Sequence, residues 1–65
     1  MSNFKEIIIE NNDLAKRIIK LEDFLKSEDT NKLDKDQLSL LGTQLTAMRT
    51  YSICLRERID RWNIK

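Results

Sequence analysis

Proline is absent from this chain and glycine occurs once, at Gly42. Sandwiches and barrels need turn residues every few positions, so this shortage excludes them and leaves long helices. Cysteine also occurs once, at Cys54, which rules out a disulfide within the chain, and histidine, the usual partner in zinc sites, is missing altogether. No apolar run approaches the roughly 18 residues of a membrane span. Met1 to Glu10 lacks the basic-then-apolar layout of a signal peptide. These absences lead us to expect no membrane association, no metal or other cofactor, and a cytoplasmic location in which the lone thiol stays reduced.

The chain has 65 residues, of which 35% are charged. A domain of this size buries only about 60% of the surface its unfolded form exposes, so it needs a staple. With disulfide and zinc set aside, self-association remains. The net charge of +1 conceals an asymmetry: residues 1–34 hold six basic and eight acidic side chains, residues 35–65 six basic and three acidic. Five of the basic residues (Arg49, Arg56, Arg58, Arg61, Lys65) fall in the last seventeen positions. They favour an anionic partner but fall short of a tail for duplex DNA or RNA, and the bland reading is solvated charge complementing a helix end.

Phe4, Ile7, Leu14, Ile18, Leu21 and Leu25 step by three and four, with Asn11 at the remaining place in the series. This predicts a first helix over 3–27, with Ser2 as its N-cap. The polar run Ser27 to Lys32 competes for backbone hydrogen bonds and predicts a loop over 28–34. Asp34 followed by Gln37 is a capping-box-like pair, and Leu33 with Leu38 are placed for a hydrophobic staple, so a second helix is expected over 35–63. Its seam runs through Leu38, Leu41, Leu45, Met48, Ser52, Leu55, Ile59 and Trp62.

A short connection between long helices folds them antiparallel. The expected layers pair Leu25 with Leu38, Leu21 with Leu41, Ile18 with Leu45, Leu14 with Met48, Asn11 with Ser52, Ile7 with Leu55 and Phe4 with Ile59. In this register the one polar seam residue of each helix meets the other. Ile8, Ile9, Ile19 and Phe24 on the first helix, with Leu40, Ala47, Tyr51, Ile53 and Cys54 on the second, point away from the seam. A hairpin cannot cover them. The fold expected is therefore all-α: a single coiled-coil-like antiparallel hairpin assembling into a homo-oligomeric bundle, with even-numbered assemblies favoured.

Gly42 costs a helix about 1 kcal/mol relative to alanine. It lies in a ridge of small residues with Ser39, Thr43, Thr46 and Thr50, which reads either as a close approach for another backbone or ligand, or as a solvated polar face. For catalysis the sequence offers little: no phosphate loop, no base beside a serine or the cysteine, and acidic pairs that read as surface charge, so no enzyme activity is expected. One flank of the second helix stands out. Gln44, Met48, Tyr51, Leu55, Arg58 and Trp62 follow at steps of four and three, and Arg17 and Lys20 can lie alongside. An aromatic ring with arginines can stack on a base and hold phosphates. The alternative is core residues with rim charges.

The runs Leu14-Ala15-Lys16-Arg17-Ile18, Leu21 to Leu25 and Gln44 to Tyr51, followed by Leu55 and Arg58-Ile59, resemble small bacteriophage-encoded helical-hairpin proteins related to crAss-like phage products. The resemblance covers residues 14–59 and rests on helix-pattern positions. Oligomeric phage proteins of this build include sponges, which hold nucleotide second messengers of host antiviral systems without cleaving them. The resemblance implies such a role in the host cytoplasm, with a cyclic oligonucleotide or ADP-ribose derivative bound by Arg17, Gln44, Met48, Tyr51 and Arg58 between subunits. Ser52-Ile53-Cys54 departs from the pattern. A phage inhibitor of a host protein, or an assembly adaptor, is the other class that the exposed apolar positions fit.

Overall fold

A computed structural model describes residues 3–62, which form two antiparallel helices packed along their length, α1 (Phe4–Lys26) and α2 (Lys35–Trp62), with no strand among them. The expected cap at Ser2 lies outside the described residues. Asn3 does that work: its extended backbone leads into α1, and its side-chain oxygen accepts the Glu6 N–H at 2.9 Å.

Ser27 both ends α1 and starts the connection to α2. Its N–H and its hydroxyl donate to the Phe24 carbonyl at 3.0 and 2.7 Å, and its Oγ accepts the Asp29 N–H at 3.3 Å. The polar segment is thereby wound into a short 3-10 helix, Glu28–Lys32, where sequence reasoning expected an irregular loop. The hydroxyls of Ser27 and Thr30 satisfy this turn because they reach backbone groups two or three residues away. Asp34 then starts α2, its carboxylate accepting the Gln37 N–H at 2.8 Å.

The core sits along the seam. Ile7 and Leu55 are fully buried and form a cluster with Leu14, against which Ile18, Met48 and Ile59 pack. The cluster is drawn from the expected seam positions of both helices, while Phe4 packs on Trp62 where the expected layer paired it with Ile59. At the open end, the rings of Phe4 and Trp62 lie 5.5 Å apart and tilted by 44°, a favourable arrangement for an aromatic pair. Polar ties across the helices join Glu22 to Arg49 at 2.6 Å and Glu10 to Tyr51.

The shape follows from having only two helices: 49 × 19 × 16 Å. Burial is correspondingly thin, with Ile7, Leu14, Leu45 and Leu55 forming the buried core, while Ile19, Leu40 and Ile53 remain 57%, 63% and 54% exposed. Gly42 has open space around the position of a Cβ, so no close approach within the chain accounts for it. The threonines of its ridge use their hydroxyls on their own helix: Thr43, Thr46 and Thr50 donate to carbonyls four residues earlier at 3.0–3.2 Å.

Candidate functional site

The chemistry-bearing flank lies along one side of the seam, and α1 completes it. Tyr51, partly exposed on α2, shares an open groove of about 350 Å³ with Arg17 on α1; Leu14 forms part of its wall and Ile9 its apolar edge. Three carboxylates, Glu6, Glu10 and Asp13, also line it. Sequence reasoning overlooked them, although Glu6, Glu10, Asp13 and Arg17 recur at steps of four, three and four and so mark one stripe of α1.

Glu10 accepts a hydrogen bond from the Tyr51 hydroxyl. That bond, followed by desolvation and the negative charge of Glu10, raises the phenol above its ordinary value of 10.0, while the positive charge of Arg58 works in the opposite direction. Tyr51 is therefore a protonated phenol at physiological pH, its hydroxyl donated to Glu10.

The other expected ligand positions are placed less closely. The Gln44 side-chain amide lies 3.9 Å from the Met48 sulfur, one turn apart on α2. Met48 leans into the core beside Leu14 and Leu55, so its thioether is largely committed to packing. Arg58 is exposed and near enough for its charge to act on Tyr51, yet it does not line the groove, nor do Gln44 and Met48. The structure thus brings Arg17 and Tyr51 together and sets Gln44, Met48 and Arg58 along the neighbouring stretch of α2.

A family model, Sequestin, matches residues 1–61. The chain belongs to the Sequestin family. Among curated proteins and solved structures, none matches. The match covers all of the hairpin but Trp62, so the site just described falls within what the Sequestin model spans. Among the described residues of this Sequestin member, no helix is long and apolar enough to cross a membrane.

Proposed function

We propose that this protein binds a phosphate-containing nucleotide signal, a cyclic oligonucleotide or an ADP-ribose derivative, and holds it without cleaving it. In this reading it serves a phage inside the host cytoplasm by depriving an antiviral system of its messenger. The observation that carries the proposal is the pairing of Arg17 with Tyr51 in one groove. A guanidinium gives bidentate contacts to phosphate, and a neutral phenol offers a stacking face. The family name, Sequestin, supports the sequestering half of the reading.

Magnitudes agree with a binding role. Stacking is worth about 1–3 kcal/mol per base, and a charge-assisted hydrogen bond about 1.5–3 kcal/mol. The groove is open on one side and holds three carboxylates against one arginine, so a single hairpin makes a weak phosphate site. Another hairpin answers both defects if it covers the groove with its basic second helix, which supplies a wall and further cations. Arg58 is one such cation, since its charge already acts on Tyr51.

The exposed Leu40 and Ile19 favour a second reading, in which the hairpin docks on a host protein as an inhibitor or serves as an adaptor in phage assembly. One experiment separates the readings. The protein is incubated with a panel of cyclic oligonucleotides and ADP-ribose derivatives, filtered, then heated, and both fractions are run by chromatography. A ligand lost from the filtrate and returned intact on heating supports sequestration. A converted product makes the protein an enzyme, and a panel that is never depleted moves the preference to a protein partner.

A further inference from the structure

Glu10 stands in the groove where charge alone would not favour it. The guanidinium there is that of Arg17, and each carboxylate beside it repels a phosphate. Glu6 and Asp13 are exposed, whereas Glu10 is half-buried and its carboxylate accepts the Tyr51 hydroxyl. The two residues come from opposite walls, Glu10 from α1 and Tyr51 from α2. Their chain neighbours Asn11 and Ser52 line a separate groove of about 470 Å³, so the tie between Glu10 and Tyr51 belongs to the flank that holds Arg17.

What the bond does follows from how little else holds the ring. Tyr51 is 42% exposed and lies outside the buried cluster of Ile7, Leu14 and Leu55. An exposed side chain hops among its staggered rotamers within nanoseconds, so an untied ring has no fixed direction. A hydrogen bond to an ionised acceptor is among the stronger ones, and one anchored on a second helix selects a single direction. It also sets the ring against the cation. Arg17 follows Glu10 by seven residues on the same face of α1, which is two turns and about 10 Å along the axis. The helix therefore holds ring and guanidinium at one spacing. The raised ionisation of the phenol agrees with a bond of this kind.

We propose that Glu10 is a positioning residue: by accepting the Tyr51 hydroxyl it fixes the ring as a stacking face at a set distance from Arg17, and nucleotide binding depends on this acceptor atom and not on the charge it carries. The purpose of the ring rests on the nucleotide-holding reading; the hold on the ring does not. Two substitutions separate acceptor from charge. Glu10→Ala and Glu10→Gln remove the same negative charge, but only glutamine keeps an oxygen that can accept the phenol. A ring left free must be ordered when a base arrives, which weakens binding by about three- to tenfold. Glu10→Gln should therefore bind that much more tightly than Glu10→Ala, although both lose one repulsion.

The test has one part without nucleotide and one part with it. In the free protein, magnetic-resonance couplings between the α and β protons of Tyr51 should report a single rotamer in the wild type and in Glu10→Gln. In Glu10→Ala they should report an average over rotamers, at unchanged helicity by circular dichroism. Should Glu10→Ala lose its helicity, Tyr51→Phe, which removes the donor instead, takes its place throughout and is compared with the wild type. Averaged couplings in the wild type, or a single rotamer in the variant that lacks the bond, overturn the hold on the ring. ADP-ribose and cyclic di-AMP are then titrated by calorimetry. Whichever binds should prefer Glu10→Gln to Glu10→Ala by about three- to tenfold, and in a Tyr51→Phe background the two should bind alike, because a residue acting through the hydroxyl has nothing left to act on. Equal affinities of Glu10→Gln and Glu10→Ala, or a difference that survives in Tyr51→Phe, overturn the role in binding. If the wild type binds neither nucleotide, that role falls together with the nucleotide reading, while the couplings still judge the hold on Tyr51.

Discussion

The hydroxyl of Tyr51 donates to the carboxylate of Glu10, tying the middle of α2 to the middle of α1 across 41 residues of sequence. The bond holds the phenol protonated, raising its ionisation above 10.0. Tyr51 is the sole tyrosine, so its titration can be followed by phenolate absorbance without interference from another phenol. We expect a midpoint above 10.0 that falls back toward 10.0 in Glu10→Gln. Because the folded value lies above the unfolded one, the associated stability is fully present below pH 10 and is lost as pH rises through the folded value. An unmoved midpoint in Glu10→Gln would remove the bond from the account.

Burial along the seam is uneven, and stability should follow it. Leu55 is fully buried while Leu21 is only partly so. Leu55→Ala should cost about 2–5 kcal/mol and Leu21→Ala clearly less, as read from urea denaturation at matched protein concentration. Equal losses at the two positions would mean that the observed core is misplaced.

Gly42 sits mid-helix, and a Cβ added there would meet nothing within 4 Å. Gly42→Ala should therefore stabilise the chain by up to about 1 kcal/mol, a gain of several degrees in melting temperature. Asp34→Ala should do the opposite, losing about 1 kcal/mol with the cap that accepts the Gln37 N–H. A destabilised Gly42→Ala would show that another chain approaches this glycine closely.

The hairpin itself was legible because period and punctuation agree: the three-four spacing of leucines and isoleucines marks both helices, and Asp34-x-x-Gln37 marks where the second begins. Asn11 and Ser52, expected to meet from their shared polarity, line one groove, but the Asn11 side-chain oxygen finds no partner in Ser52 or elsewhere among the described residues. The 3-10 winding after Ser27 was not legible, since the same polar residues serve a loose loop equally well and only the bonds to Phe24 and Asp29 decide. The site was half legible. Tyr51 on α2 and Arg17 on α1 were both named from the sequence and line the candidate groove, whereas Gln44, Met48 and Arg58 do not, and reading α2 alone hid the carboxylates that α1 contributes opposite Tyr51. Met48 shows the same limit, for its spacing suits the flank and the core alike, and packing assigns it mainly to the core.

Those carboxylates give the nucleotide reading its most specific consequence. Glu6, Glu10 and Asp13 outnumber Arg17 in the groove, so they oppose any phosphate placed there. Glu10 is engaged by Tyr51, which leaves Glu6 and Asp13, both exposed and with no side-chain hydrogen-bond or ion-pair partner among the described residues; Asp13, one turn from Arg17 on α1, is the carboxylate to remove. With whichever nucleotide the release assay identifies, Asp13→Asn should tighten binding by a few-fold at low salt, the scale of an exposed charge interaction, and the gain should shrink as salt is added. Arg17→Ala should weaken binding by about tenfold or more through loss of a charge-assisted contact, and Tyr51→Ala by a similar factor through loss of stacking. Arg61, paired with Glu57 on the exposed side of α2, serves as the control, and Arg61→Ala should bind as wild type does. Isothermal titration of the four variants checks the pattern. Opposite signs for Asp13→Asn and Arg17→Ala place the phosphate in this groove, because a general change in net charge would make Arg61→Ala behave like Arg17→Ala. Binding that ignores both Arg17 and Asp13 would move the ligand elsewhere on the hairpin.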